Sequence, residues 1–141
     1  MFKEALSLSK NPVIYNGDIF SMQDYQEFTA DVPEVDTVML GRGLVSNPGL
    51  VDLITEDKPL DKAQLKEFHD RIYMDYQNVL SGEKNVLFKM KELWFYMSSV
   101  FTDHEKYAKK IKKAERLNSY EEVVQSLFQE QELRVPMAAN R

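Results

Sequence analysis

The 141 residues contain no cysteine and only two histidines, His69 and His104. The first absence excludes disulfides, thiolate metal centres and cysteine nucleophiles from the chemistry of this chain. With so few histidines, no metal site is expected either. Neither absence identifies a compartment, because a chain without cysteine suits any redox environment. No apolar run approaches the roughly 20 residues that a membrane-spanning helix needs. The opening MFKEALSLSK has neither the apolar core nor the small-residue cleavage site of a secretory signal. A cytoplasmic protein with no membrane partner is therefore expected. Internal repeats, low-complexity tracts and long linkers are missing as well.

The residues that are present describe an ordinary globular chain, 43% hydrophobic and 29% charged with a net charge of -5. That length suits one domain or two small units. The charge is unevenly spread. Lys84 to Arg116 holds nine basic residues against four acidic ones, a local excess of +5. A basic segment in an acidic chain points to a polyanionic partner.

Residues 1–56 alternate strand and helix signals. Pro12-Val13-Ile14-Tyr15 reads as a buried strand, and Ser21 caps a helix with Asp24 three residues on and Tyr25 and Phe28 on one face. Thr37 to Leu40 reads as a second strand, and Asn47-Pro48 as the cap and first residue of another helix. Two strands joined by a crossover helix should lie parallel and adjacent.

Residues 57–132 show only helical spacing. Leu65, Phe68, Ile72 and Tyr76 mark a helix over 61–80 that stops at Ser81-Gly82. Phe88, Leu93, Trp94, Met97 and Phe101 mark another over 85–101. Tyr107, Ile111 and Ala114 stripe a short basic helix, and Ser119-Tyr120-Glu121-Glu122 reads as a capping box ahead of Val123, Val124, Leu127 and Phe128. Four such helices suggest a small antiparallel bundle. Residues 133–141 carry no pattern and are expected to form a flexible tail.

Both strand candidates end at glycine: Asn16-Gly17-Asp18 after the first, Gly41-Arg42-Gly43 after the second. Loops at the C-terminal ends of parallel strands are where α/β proteins gather their chemistry, and in eight-stranded barrels the last two commonly hold a phosphate. Glycine lets backbone N–H groups approach an anion, and Arg42 can grip one with two donors. Glycine after a strand is also a plain turn device, so the spacing alone leaves both readings open.

The segments PVIYNGDIFSMQDY and DTVMLGRGLVSNPGLV resemble the C-terminal part of the barrel in the tRNA-dihydrouridine synthase family. LFKMKELWFYM and KKIKKAERLNSYEEV are similar to the helical domain that follows that barrel, so nearly the whole chain is covered. The resemblance implies a βαβα portion of a TIM (β/α)8 barrel over 1–56, then a four-helix, bundle-like tRNA-binding domain over 57–132. It implies FMN phosphate contacts at Asn16, Gly17, Asp18, Gly41 and Arg42. Asp18 would repel a phosphate, so its expected part is to accept backbone N–H bonds or to orient Arg42. Family members pass hydride from NADPH to FMN and on to uracil, with a cysteine as the acid. That cysteine and about six strand-helix units have no counterpart here, so no catalytic residue is expected in this chain. It is expected to be a piece of the enzyme, excised or truncated, and inactive alone. Uncovered strands should also promote self-association.

In the helical half, Lys91, Lys109, Lys110 and Lys113 are the RNA-binding candidates that the resemblance supports, against the simpler reading of a solvated lysine face. Trp94, Phe95, Tyr96 and Phe101 are aromatic enough to stack on bases, although Trp94 and Phe101 sit on the apolar stripe and are expected in the core. Two rival functions stand beside this one: a different FMN barrel oxidoreductase, and a free-standing RNA-binding or interaction module without catalysis.

Overall fold

The computed structural model describes residues 1–134. Its only sheet among them pairs β1 (Tyr15–Asn16) with β2 (Val38–Met39) in parallel, with Tyr15 opposite Val38 and Asn16 opposite Met39. The strand pair is thus as expected, but shorter. Pro12 to Ile14 stay outside it, and Ile14 is 54% exposed because a two-stranded sheet offers it no covering layer.

Two helices frame β1. α1 (Phe2–Leu8) was not signalled by the sequence: it buries no residue completely and is too short to stand alone. It is held by the Phe2 ring, 4.9 Å from Tyr15 and 6.0 Å from Phe28, while Tyr15 and Phe28 stack at 4.0 Å. α2 (Met22–Asp31) starts where the capping signal put it. Ser21 Oγ accepts the Asp24 N–H at 3.1 Å, and the Asp24 carboxylate accepts the Phe20 N–H at 2.9 Å.

After β2 the chain departs from the expected single helix. α3 (Arg42–Ser46) begins directly after Gly41, and α4 (Leu50–Glu56) follows a break. Asn47 Oδ1 accepts the Gly49 N–H at 2.9 Å, so Asn47 closes a tight turn that contains Pro48 instead of capping a helix.

The remaining helices are α5 (Lys62–Val79), α6 (Glu83–Met97), α7 (His104–Lys113) and α8 (Leu117–Glu130). Asp61 caps α5 through the Ala63 N–H. Gly82, at φ +85°, makes the left-handed turn into α6 that a side chain would resist. α6 ends four residues before Phe101, tightening into the 3-10 turn Ser98–Val100. α8 begins two residues before Ser119, which corrects the expected capping box. Ser119 Oγ bonds back to the Arg116 carbonyl, and the carboxylate of Glu83 accepts the Leu117 N–H at 2.6 Å. The cap is supplied by another helix, which local spacing does not reveal.

One core binds the bundle together: Trp94, Phe101, Tyr107, Ile111, Tyr120 and Leu127 are each at most 1% exposed. Ile19, Val32, Val35, Leu50 and Leu53 are buried outside that cluster, in the first part of the chain. α3 links the two, packing on α4 to one side and on α6 and the 3-10 turn to the other. Phe88, expected on the apolar stripe, is 68% exposed because it lies on the outer face of α6. Leu133 and Arg134, expected in a flexible tail, are tied down: Leu133 bridges Phe101, and the Arg134 N–H donates to the Val100 carbonyl at 2.7 Å. The rest of that expected tail lies outside the described residues. No helix among the described residues is long and apolar enough to cross a membrane.

Candidate functional site

Because the strands are parallel and paired in register, the loops that follow Asn16 and Met39 emerge side by side at one end of the sheet. Arg42 closes the gap: its Nη2 lies 2.7 Å from Asp18 Oδ1. Asp18 and Arg42 thus meet across the two loops. Both side chains remain more than half exposed, so the guanidinium keeps donors facing solvent.

The glycines at this end do different jobs. A Cβ on Gly43 would stand 1.9 Å from the Ile19 carbonyl oxygen, so that glycine is required for α3 to pass the backbone at Ile19. A Cβ on Gly17 would meet the Tyr15 ring, hydroxyl included, within 3 Å. Gly41 is different: a Cβ there would meet nothing within 4 Å. The open space beside Gly41 and the exposed Arg42 form one small donor set. An anion suits it. Asn16, exposed on β1, flanks the same end.

The helical half places its lysines as the sequence suggests, around a buried stripe of Tyr107, Ile111 and Ala114. Lys109 and Lys113 are exposed. Lys110 lies with its ammonium 5.7 Å from the Tyr107 ring centroid, and Lys91 donates to the Lys112 carbonyl at 2.9 Å, so these two are partly engaged within the fold. Trp94 and Phe101 are in the core, whereas Phe95 is 78% exposed.

Sequence reasoning gave His69 no part, yet it anchors a buried polar network. Its Nε2 is 2.7 Å from the Tyr120 hydroxyl and its Nδ1 is 2.8 Å from Asp70 Oδ1, while Trp94 Nε1 donates to the same hydroxyl at 2.7 Å. One assignment satisfies every atom: His69 is neutral, its Nδ1–H donates to Asp70, and its Nε2 accepts from Tyr120. Burial holds the His69 pKa below its ordinary value against the opposing pull of Asp70. Burial also pushes the Tyr120 hydroxyl up. Asp70 loses some hydration, but hydrogen bonds from Lys66 and His69 outweigh this and hold its carboxyl low. A signal existed in the sequence: His69 falls four residues after Leu65 and three before Ile72, on the core stripe of α5. Among the described residues no group of three or more His, Asp or Glu is gathered as metal ligands.

These features can be set beside known proteins. The family model for dihydrouridine synthase (Dus) matches residues 2–140. The chain belongs to the dihydrouridine synthase family. Enzymes of this family are oxidoreductases that act on uridines of tRNA, with FMN and NADPH as cofactors. The two-stranded parallel sheet and the predominance of helix agree in general with the family's barrel and helical parts. No curated protein matches the chain.

Proposed function

We propose that this chain supplies the flavin phosphate grip and the RNA-binding helices of a tRNA-dihydrouridine synthase, with further barrel strands and the catalytic acid outside this sequence. The observation that carries the proposal is the convergence of Asp18 and Arg42 at 2.7 Å beside the open flank of Gly41. FMN phosphate fits that donor set: Arg42 offers a bidentate guanidinium beside the open flank of Gly41, and Asn16 and Gly17 line the facing loop. Asp18 holds the guanidinium in place. When bound, FMN supplies the hydride chemistry on the uracil ring; the residues of this chain only bind and orient it. Residues 1–56 are proposed as the βαβα portion of the barrel, whose remaining strands would cover Ile14 and Met39, and residues 57–132 as the tRNA-binding part.

Two short strands close no barrel, and a phosphate grip without a ring pocket leaves most of a flavin in water. The chain alone is therefore proposed to be inactive, to bind FMN weakly and to self-associate through its uncovered sheet. The second reading, an RNA-binding module without catalysis, is favoured by the same two-stranded sheet.

The test is a titration of a tRNA transcript with the chain at about 50 mM and about 200 mM salt. Affinity should fall steeply with salt, and the Lys109→Glu, Lys113→Glu double variant should bind more weakly, with a salt slope reduced by about one per lysine. No tRNA binding at the lower salt would end the RNA part of the proposal. Tight stoichiometric FMN uptake by the chain alone would contradict the incomplete flavin site.

A further inference from the structure

Two phenylalanines of α6 lie where a stable core would not leave them. Phe88 and Phe95 are 68% and 78% exposed, although the other face of the same helix buries Met90, Trp94 and Met97 almost completely. Seven residues apart, they share one face of the helix, about 10 Å from each other along its axis. Lys91 sits between them on that face. Across the groove, which is open to solvent and about 740 Å³ in volume, α7 presents Lys109 and Lys112.

The charge of the rim selects an occupant. Two acids line the groove, Glu92 and Glu105, and Glu92 is paired with Lys89 at 3.3 Å. Three lysines line it as well, inside the segment that is +5 in a chain of -5. An apolar helix of a protein partner would leave those cations facing a hydrocarbon surface. Flat rings among lysines are instead the combination that holds unpaired nucleotides, with bases on the aromatic faces and phosphates on the ammonium groups. The ring of Phe95 stands edge-on to Tyr96, with centroids 5.1 Å apart and planes 87° apart, which braces it in one orientation.

We infer that the groove between α6 and α7 is a subsite for single-stranded RNA, in which Phe95 stacks on an unpaired base, Phe88 offers a second platform, and Lys109 and Lys112 hold the adjoining phosphates. The inference rests on the tRNA reading above and deepens it, because it commits that surface to unpaired nucleotides rather than to duplex.

The experiment compares a labelled unstructured oligouridylate, an RNA duplex of equal length and a tRNA transcript, by fluorescence anisotropy, with the wild-type chain and its Phe95→Ala and Phe95→Trp variants. With so exposed a side chain, truncation should leave the fold intact, which circular dichroism checks. Phe95→Ala should bind the single strand about tenfold more weakly with an unchanged salt slope and unchanged duplex binding, and Phe95→Trp should retain wild-type affinity. Equal single-strand affinity of Phe95→Ala and wild type would overturn the inference while the tRNA reading stands. So would an equal loss for single strand and duplex. A change in oligomeric state on Phe95→Ala, with RNA binding unaltered, would assign the face to contacts between copies and overturn it too. Absence of tRNA binding by the wild type would remove the tRNA reading itself, and the inference with it.

Discussion

Replacing Tyr120 by phenylalanine tests the bundle's buried network with little change of shape. The ring stays, so its contacts with the His69 and Tyr73 rings are kept, and one oxygen is lost. That oxygen serves two buried partners, as donor to His69 Nε2 and as acceptor from Trp94 Nε1, each at 2.7 Å. His69 is only 2% exposed and Trp94 only 1%, so neither orphaned atom turns to bulk water without repacking. An unsatisfied buried polar group costs about 1–3 kcal/mol, and two of them together about 2–4 kcal/mol after partial relaxation. In a protein whose whole stability is on the order of 5–15 kcal/mol, that is a large fraction. The control is Tyr73→Phe, which removes a hydroxyl bonded to Glu121 at 2.7 Å on the exposed side of the same cluster and should cost under about 1 kcal/mol. Urea unfolding followed by circular dichroism measures both, with the slope m verifying that the unfolded states match. A Tyr120→Phe unfolding free energy within about 0.5 kcal/mol of wild type at unchanged m, or a larger effect from Tyr73→Phe, would refute the reasoning.

The same network fixes a pH dependence. Burial lowers the His69 pKa from 6.5, so as pH falls below that value the unfolded chain takes up the proton first and stability declines; His69→Gln should flatten this part of a stability profile between about pH 7 and pH 5. Gly43→Ala should destabilise by about 1–3 kcal/mol or more, since the new methyl meets a carbonyl oxygen, whereas Gly41→Ala should unfold at or slightly above the wild-type temperature. Thermal melts of the pair decide, and equal behaviour would show that α3 does not need its close approach to Ile19. Glu83→Ala removes the acceptor for the Leu117 N–H and the partner of Arg116, 3.3 Å away; a loss of about 1 kcal/mol in urea unfolding is expected, and none would show that water caps α8 equally well.

Much of this architecture was legible in periodicity. The cap of α2 and the long helices α5 and α6 follow from local spacing, because each is decided by residues within one or two turns of each other, and the parallel strand pair follows from the order strand, helix, strand. Two of the misses share a physical cause: α1 rests on ring contacts with Tyr15 and Phe28, and the start of α8 on a carboxylate more than thirty residues away. The break at Asn47 is local instead, a side chain that serves a tight turn as readily as a helix cap. The site shows the same division. Arg42 and Asp18 stand out by residue type and loop position, but the separate reasons for Gly17, Gly41 and Gly43 depend on what lies across from each. His69 was passed over because a histidine was weighed as a ligand or a catalyst, not as a core residue satisfied by a tyrosine.

The position of α3 carries a consequence for anyone dividing this chain. A cut between residues 56 and 57 separates the two sets of buried residues cleanly in sequence. Yet α3, on the N-terminal side of that cut, is a wall of α6 and of the 3-10 turn after it. Expressed without residues 42–46, the bundle would show solvent a surface shaped to be covered, so a soluble bundle should retain that helix or polar replacements on the flank of α6 that it shields.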